Sequence, residues 1–399
     1  MNEYKKDFPL YLNNPNIVYL DNAASSLKSK KVIEALDHYY NELGVNVHRG
    51  VYELSYQATN LYEEARQTVA DFINAKFEEI VFTRGTTASL NMVALTYGEQ
   101  NIQEGDEIVV SELEHHSNLI PWMKLCERKK AKLVYIPLNY QNRITVDNFR
   151  SVLSDRTKIV AINHVSNVMG YISPVEEIIE LAHLKGAIVV VDGAQAVPHM
   201  MVDVKDMDAD FYAFSGHKMT GPTGIGVLYG KKALLDKMEP LEYGGDMADE
   251  VNLDHATYKD SPYKFEAGTP IIAEAIGLGA ACKYLKEISL DKIAVKEHVI
   301  KEYALSKLKG LDGLEIYNPD CETGLITFNV KGIHPHDVAS VLDQNGVCIR
   351  AGQHCAKPIV DRLGQISTIR ASFYFYNDEE DADKFVLAVK EAIDFFNNF

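Results

Sequence analysis

The residue best suited to covalent chemistry is Lys218, in the segment AFSGHKMTGPTGIG (213–226). It follows an apolar run that is typical of a buried strand and precedes a glycine-rich turn, whereas structural lysines normally lie on solvated faces. An amine that is partly removed from water is neutral for more of the time and can form a Schiff base with a carbonyl. Ser215 and His217 flank Lys218 and could donate hydrogen bonds to an anionic group. We therefore predict that Lys218 is a Schiff-base lysine.

The segment TRGTT (83–87) follows the apolar run EIVF and precedes a helical pattern. Gly85 lets the backbone approach a ligand closely, and Thr86 and Thr87 offer hydroxyls and helix N-terminal amides to a phosphate. An ordinary helix cap uses the same residue types. The motif therefore indicates either a phosphate site or a helix cap.

A buried acid is expected at Asp192, which ends the very apolar run in VVVDGAQAV. Burial of a carboxylate is costly unless the group is paired. In an enzyme that uses pyridoxal 5'-phosphate (PLP), such an acid keeps the pyridine nitrogen protonated and the ring an electron sink. Gln195 could reach the phenolic oxygen of the same ring. The alternative is that Asp192 only caps the helix that follows.

Two adjacent histidines, His115 and His116, occur in EHHSN (114–118), directly after another apolar run. One imidazole could stack on a pyridine ring, and we assign that position to His115. The rival interpretation is a metal pair. Adjacent histidines point in divergent directions, however, and no second ligand lies at a spacing typical of zinc sites. We therefore predict no metal.

Val- and Ile-rich runs precede these motifs and suit strands that are buried on both faces of a mostly parallel sheet, with helices packed around it. Ligands bind at the carboxyl ends of the strands in such sheets, where the polar motifs lie. Helices are predicted over residues 58–74 and 85–97. Strands are predicted over residues 79–82, 107–111, 133–137, 158–166, 187–192, 211–215 and 224–230.

The pattern changes after about residue 275, where a long helical stretch is followed by the strand GLITFNV, a helix from His336 and the strand CIRAG. A final helix is predicted over most of 378–395. We predict a large PLP-binding domain over 26–275 and a small α+β domain over 276–399 that carries Cys355 and Arg370. Residues 1–25 are predicted to pack on the small domain.

Composition sets limits on the class of protein. The formal net charge of -17 argues against binding of nucleic acid over a broad surface. No apolar run approaches the roughly 20 residues of a membrane helix, and the N-terminal residues lack the apolar core of a signal peptide. The five cysteines form no CxxC pair, which favours neither a disulfide framework nor a zinc knuckle. We predict a cytoplasmic protein with no membrane partner.

The motifs together resemble the class V aminotransferase family of fold-type I PLP enzymes. More closely, the chain is similar to the SUF-type (SufS-like, group II) cysteine desulfurases. The resemblance spans nearly the whole chain and is carried by ten ordered motifs. These are LDNAAS, NVHRG, RGTT, EHHSN, HVSNVMG, VDGAQAV, SGHK, FEAGTP, RAGQHCA and RASFYFYN.

The resemblance implies a PLP cofactor, a homodimer and a role for each motif. Lys218 would hold PLP and move protons, Asp192 would pair with the pyridine nitrogen, and His115 would stack on the ring. Thr269 would reach the phosphate from the other subunit. The further cofactor-binding residues would be Thr86, Thr87, Asn167, Gln195, Ser215 and His217.

The substrate implied by the resemblance is L-cysteine. Arg370 of IRAS would bind its carboxylate, a task that suits the bidentate guanidinium group. Arg350 would line the entrance of the same site, and Asn167 would lie near the substrate. Cys355 of RAGQHCAKP would take up the sulfur as a persulfide, because a thiolate is the required nucleophile. The residues around Cys355 permit this role, but a structural cysteine remains the alternative from local sequence alone.

Two departures from the family pattern concern the active-site entrance. Gln353 stands where many relatives have a histidine, which removes one possible acid. Phe373 and Tyr374 replace smaller residues, and we expect them to reshape the entrance.

The sulfur acceptor implied by the resemblance is a small SUF protein, SufU-like or SufE-like. His336 is our candidate for a zinc ligand exchanged with such an acceptor, and an ordinary N-terminal helix histidine is the alternative. Three other functions stay open: a selenocysteine or cysteine-sulfinate lyase, an aminotransferase, and a non-catalytic sulfur-relay scaffold. Cys355 disfavours a pure transaminase, and Lys218, Asp192 and His115 disfavour a scaffold.

Overall fold

The computed structural model describes residues 2–397. The N-terminal segment contains α1 (Pro9–Asn13) and the short strand β1 (Val18–Tyr19). β1 pairs in parallel with Val347–Cys348 of the C-terminal region, and Asp21 forms an isolated bridge with Ser372. The N-terminal segment is therefore hydrogen-bonded to the last third of the chain.

A seven-stranded sheet forms the centre of the large domain. Its strands are β2 (Ile80–Thr83), β3 (Glu107–Ser111), β4 (Lys132–Ile136), β5 (Thr157–Asn163), β6 (Ile188–Asp192), β7 (Phe211–Ser215) and β8 (Gly226–Gly230), in the order β2-β8-β7-β6-β5-β3-β4. Only β8 runs antiparallel to its two neighbours. Nearly every side chain of the central strands is buried, as expected for a sheet covered on both faces. The predicted α/β architecture with a mostly parallel sheet is confirmed.

Helices surround this sheet. They are α2 (Lys30–His38), α3 (Glu53–Phe72), α4 (Thr86–Val93), α5 (Glu99–Asn101), α6 (Ile120–Lys129), α7 (Val146–Val152), α8 (Val175–His183), α9 (Lys232–Leu235) and α10 (Ile272–Ile288). Some are in direct contact with its strands and others, such as α2 and α10, are packed on neighbouring helices. The helix predicted from residue 58 begins five residues earlier, at Glu53. Its first turn carries the exposed Leu54, so the turn lacks the apolar periodicity on which the prediction depended.

A small domain follows a two-stranded hairpin, β9 (Ala248–Val251) and β10 (Ala256–Tyr258). Its strands are β11 (Leu314–Ile316), β12 (Leu325–Val330), β13 (Val347–Cys348), β14 (Arg350–Gly352) and β15 (Thr368–Ser372). Four of them form a sheet in the order β11-β12-β15-β14, whereas β13 pairs with β1. The helices are α11 (Leu290–Leu308), α12 (Pro335–Gln344), α13 (Lys357–Arg362) and α14 (Glu379–Asn397). The sheet and α14 enclose a separate core around Phe328, Phe373 and Phe385. No helix within residues 2–397 has the length and apolar character needed to cross a bilayer.

Candidate active site

A cleft of about 210 Å³ opens where the carboxyl ends of the large-sheet strands meet the small domain. All the predicted site residues except Thr269 line it. Those lining residues are Thr86, Thr87, His115, Asn167, Asp192, Gln195, Ser215, His217, Lys218, Arg350, Cys355 and Arg370. Residues that are up to 284 positions apart in the chain, from Thr86 to Arg370, therefore meet in one place.

Lys218 lies in a short 3-10 turn (Gly216–Lys218) directly after β7. The pKa of its amine is lowered to about 8, chiefly by burial; the Asp192 carboxylate opposes this shift, and the Arg370 and Arg350 cations contribute to it. The glycine-rich turn folds back so that the Gly216 amide donates to the Ile225 carbonyl at 3.0 Å. The amine is therefore held in a setting where its neutral, nucleophilic form is accessible near neutral pH.

Asp192 ends β6 beside Asn163 at the end of β5. Its Oδ1 accepts a hydrogen bond from the Ala194 amide at 3.0 Å, and burial raises the pKa of the carboxyl. The next position, Gly193, requires glycine because a β-carbon there would lie 1.9 Å from the Tyr212 ring. Gln195 lies in the turn beyond, and its Nε2 donates to the Ala23 carbonyl at 2.7 Å.

The phosphate-binding motif predicted around residue 85 forms the start of α4. Gly85, with a φ of 144°, lies so close to Gly226 that a β-carbon on the latter would be 2.4 Å from the Gly85 Cα. The Thr86 amide donates to Ser215 Oγ at 2.8 Å, and the Thr87 and Ser117 hydroxyls are 2.7 Å apart. These hydroxyls and the first amides of the helix converge on one end of the cleft, an arrangement that suits an anion.

His115 belongs to the loop after β3. Its Nδ1 accepts a hydrogen bond from the Ser117 amide at 3.1 Å, which leaves the proton on Nε2. Burial lowers the pKa of the ring to about 3, and the nearby Lys218 amine acts in the same direction. His217 is similar, since burial lowers its pKa to about 4. Both rings are therefore neutral at physiological pH.

Glu114, which was not predicted as a site residue, contacts neighbouring residues of the loop that carries His115. Its buried carboxyl accepts hydrogen bonds from Asn163 Nδ2 at 3.0 Å and Asn118 Nδ2 at 2.7 Å. Burial raises its pKa to about 8. Asn163, also missed, lines the cleft at the end of β5, next to Asp192. The strand-end position that identified Asp192 was the signal that could have found Asn163.

Arg370 is buried in the small-domain strand β15, with only 2% of its surface exposed. Its Nη1 donates to the Asn167 carbonyl at 2.8 Å, and its Nη2 lies 3.3 Å from Asp21 Oδ1. Burial lowers the pKa of the guanidinium to about 10, which leaves it charged at neutral pH. Arg350, in β14, is paired directly opposite Arg370 in the neighbouring antiparallel strand β15. Two cations therefore line the cleft, and Arg370 is paired with a carboxylate.

Cys355 lies at the rim of the cleft in the loop that joins β14 to α13, and it is the exposed member of the five cysteines. His354 and Cys355 both have left-handed backbones, with φ of 52° and 53°. Such a conformation costs about 1–2 kcal/mol for each residue with a β-carbon. The Asn167 side chain donates to the His354 carbonyl at 2.8 Å, and the His116 amide donates to the Cys355 carbonyl at 2.7 Å. Contacts with the large domain therefore hold this loop in a strained conformation.

Buried polar atoms without a hydrogen-bond partner cluster in the walls of this cleft. Within the described part of the chain, these include Asn167 Oδ1, Gln195 Oε1, His354 Nδ1 and Arg370 Nε. An unpaired buried polar atom is expensive, and such atoms are commonly satisfied by a ligand. The cleft therefore has polar groups available for a bound molecule.

Other predicted residues lie away from the cleft. Thr269 is exposed and lines a separate cavity of about 370 Å³. His336 is exposed at the start of α12, where its ring stacks on that of His334. The expected effect of Phe373 and Tyr374 on the entrance is wrong. Both side chains are fully buried. The Phe373 ring packs against Phe385, and the Tyr374 hydroxyl donates a hydrogen bond to the Pro198 carbonyl at 2.9 Å.

Gln353 is exposed on the Cys355 loop. Its carbonyl accepts a hydrogen bond from the Ala356 amide at 2.9 Å, which closes a turn around the cysteine. Residues 2–397 contain no group of three or more His, Cys, Asp or Glu side chains placed to hold a metal ion.

Comparison with known proteins places this geometry in a family. The model of the class-V aminotransferase family matches residues 18–385. A probable cysteine desulfurase of Halalkalibacterium halodurans is 52% identical, with 99% of this chain and 98% of that protein aligned. A probable cysteine desulfurase of Staphylococcus epidermidis is 54% identical, with 98% and 96% aligned.

Solved structures give the same result. The cysteine desulfurase CsdA of Escherichia coli superposes with a TM-score of 0.93 at 41% identity, over 98% of both chains. The apo cysteine desulfurase of Thermococcus onnurineus superposes with a TM-score of 0.95 at 43% identity, again over 98% of both chains. The chain therefore belongs to the class-V aminotransferase family and, within it, to the cysteine desulfurases, which are PLP-dependent enzymes.

Proposed function

We propose that this enzyme converts L-cysteine to L-alanine and collects the sulfur as a persulfide on Cys355. The observation that carries the proposal is the position of Cys355. Its exposed thiol lies at the rim of the same cleft as the Lys218 amine and the Arg370 guanidinium. A pure transaminase has no use for a thiol at that place, whereas sulfur abstraction requires one.

The residues of the cleft fit PLP. Lys218 would hold it through Nζ, and Asp192 would pair with its pyridine nitrogen. Gln195, whose Oε1 has no hydrogen-bond partner in the cleft, would face the phenolic oxygen. The hydroxyls and amides at the start of α4 would hold its phosphate, with Ser215 and His217. When bound, PLP supplies an electron sink that acidifies the α-carbon of an amino acid.

Arg370 and Lys218 would orient and deprotonate the substrate. Arg370 is fixed by Asn167 and Asp21, and its Nε is still free to donate to a carboxylate. Charge-assisted hydrogen bonds of this kind are about twice as strong as neutral ones. The Lys218 amine, with its lowered pKa, would accept the α-proton of the cysteine and return a proton later.

The sulfur-transfer step belongs to Cys355. Its thiolate attacks the sulfur of the bound cysteine, so that a new S–S bond forms and the Cβ–S bond breaks. The electron pair of the broken bond stays on the carbon side, which takes up a proton and leaves as alanine. One cysteine and one Cys355 thiol therefore yield one alanine and one Cys355 persulfide, and no external oxidant or reductant is consumed.

We further propose that the enzyme is a cytoplasmic homodimer that serves a SUF-type iron-sulfur cluster assembly system. The persulfide would pass to a small acceptor protein, SufU-like or SufE-like, because Cys355 is exposed at the cleft rim. Thr269, which is exposed and remote from its own cleft, would reach the PLP phosphate of the other subunit. His336 is exposed on the small domain and would exchange a zinc ligand position with a zinc-containing acceptor.

The test is alanine and sulfide release from L-cysteine by the PLP-loaded protein. Lys218→Ala should abolish both activity and the absorbance of bound PLP, whereas Cys355→Ala should keep that absorbance and lose sulfide release. Cys348→Ala is the matched control, because Cys348 lies outside the cleft. Normal turnover of cysteine by Cys355→Ala would refute the sulfur-relay assignment. Faster turnover of selenocysteine than of cysteine would instead favour a selenocysteine lyase.

A further inference from the structure

His116 is the neighbour of the ring-stacking candidate His115, yet it does not line the cleft and has no part in the chemistry above. It makes two contacts with the Cys355 loop. Its backbone amide donates to the Cys355 carbonyl at 2.7 Å, and its ring Nε2 accepts from the Lys357 amide at 3.2 Å. A single residue of the large domain therefore holds the backbone on both sides of Ala356.

The ring of His116 is suited to accept a hydrogen bond. It is half-buried, and burial lowers its pKa, so the imidazole is neutral and Nε2 keeps its lone pair. The ring centroid lies 6.4 Å from that of His115, and the two planes are inclined by 49°. The two rings are therefore not stacked on each other. His115 lines the cleft while His116 contacts the loop.

The Cys355 loop needs such support because His354 and Cys355 are consecutive left-handed residues. A left-handed backbone at residues other than glycine is retained only where the surrounding contacts fix it. Asn167 holds the preceding carbonyl, at His354, and is itself a cleft residue. His116 supplies two more backbone contacts from the large domain, at Cys355 and Lys357. From within the small domain, Thr368 lies 3.0 Å from the His354 ring Nε2.

We propose that His116 is a positioning residue that fixes the Cys355 sulfur at the cleft by holding the loop at Cys355 and Lys357. This inference rests on the proposed function, since it assigns to His116 the geometry of the sulfur-transfer step. Substrate capture by Lys218 and Arg370 does not depend on the contact. Its loss is expected to slow persulfide formation and leave substrate binding intact.

Amide hydrogen exchange tests the contact without any turnover. His116→Leu removes the acceptor and keeps most of the volume, and His116→Gln restores an acceptor oxygen near the position of Nε2. Loss of one hydrogen bond should speed exchange of the Lys357 amide by about 3- to 10-fold in the Leu variant. The Gln variant should exchange like the wild type. His298→Leu, which changes an exposed histidine of α11, is the matched control.

Kinetics then test the role. The Leu variant should lose about 3- to 10-fold in the rate of persulfide formation, with KM and the spectral change on cysteine binding unaltered, and the Gln variant should recover the rate. Unprotected exchange of Lys357 in the wild type, or equal rates in the Leu variant and the wild type, would overturn the proposal. So would a Gln variant as slow as the Leu variant. If the wild type forms no persulfide, the proposed function fails, and the exchange data still decide whether His116 holds the loop.

Discussion

The protonation state of Lys218 should control how fast the cofactor-free protein captures PLP. Only a neutral amine attacks the aldehyde, and burial lowers the pKa of Lys218 from 10.5 to about 8. At pH 7 an amine of pKa 8 is neutral in roughly a tenth of molecules, compared with roughly 0.03% for an unperturbed lysine. The cleft therefore raises the reactive fraction by about 300-fold at this pH. Because protonation increases as pH falls, capture should slow about tenfold per pH unit below 8 and level off above it.

The assay mixes cofactor-free protein with PLP over a pH series and follows the absorbance of the bound cofactor. A model amine, Nα-acetyl-lysine, is reacted over the same series, and its rate, divided by its own neutral fraction at each pH, corrects for the titration of PLP itself. Two variants should move the midpoint in opposite directions. Asp192→Asn removes the carboxylate that raises the Lys218 pKa, so the midpoint falls, whereas Arg350→Gln removes a cation that lowers it, so the midpoint rises. A corrected rate that keeps climbing to pH 10, or variants that both leave the midpoint unchanged, would refute the reasoning.

Three further predictions concern single side chains. Arg370→Gln should raise KM for cysteine by about 10- to 100-fold while PLP stays bound, because charge-assisted hydrogen bonds to the carboxylate are lost; steady-state kinetics check this, and an unchanged KM would contradict it. Thr269→Ala should weaken PLP retention in dialysis, and mixed dimers of Thr269→Ala with Lys218→Ala subunits will show whether the contact comes from the other subunit; retention equal to the wild type would remove Thr269 from the site. His336→Ala should abolish activation by a zinc-containing acceptor at unchanged basal turnover, whereas full activation of this variant would leave His336 as an ordinary helix residue.

Local sequence was informative where chemistry coincides with the end of a strand. Apolar runs located the strands of the large sheet, and the polar residues after β6 and β7 were those that the fold places in the cleft. Asp192 and Lys218 could be predicted because an ionisable group next to a buried strand is costly unless it is paired, so its presence there indicates a function. Periodicity could not place the first turn of α3, where exposed residues precede the apolar stripe.

Contacts between the two domains could not be predicted from sequence. Lys357 contacts His116 across 241 positions, and neither residue has a local pattern that indicates the other. Phe373 and Tyr374 stand where some relatives have smaller residues, which suggested an effect on the entrance. The chain turns inward after β15, however, and both rings are buried in the core. The side-chain pattern of a short aromatic run does not reveal such a turn.

The central claim is that sulfur leaves cysteine on Cys355, and a single-turnover experiment tests it most directly. PLP-loaded protein is mixed with less than one equivalent of L-cysteine, quenched, and analysed by mass spectrometry of the Cys355 peptide beside an alanine assay. We expect one sulfur atom added to Cys355 for each alanine formed, and no addition in the peptides of the other four cysteines, Cys126, Cys282, Cys321 and Cys348. Alanine formed without sulfur on Cys355, both in this protein and at the same rate in Cys355→Ala, would contradict the account.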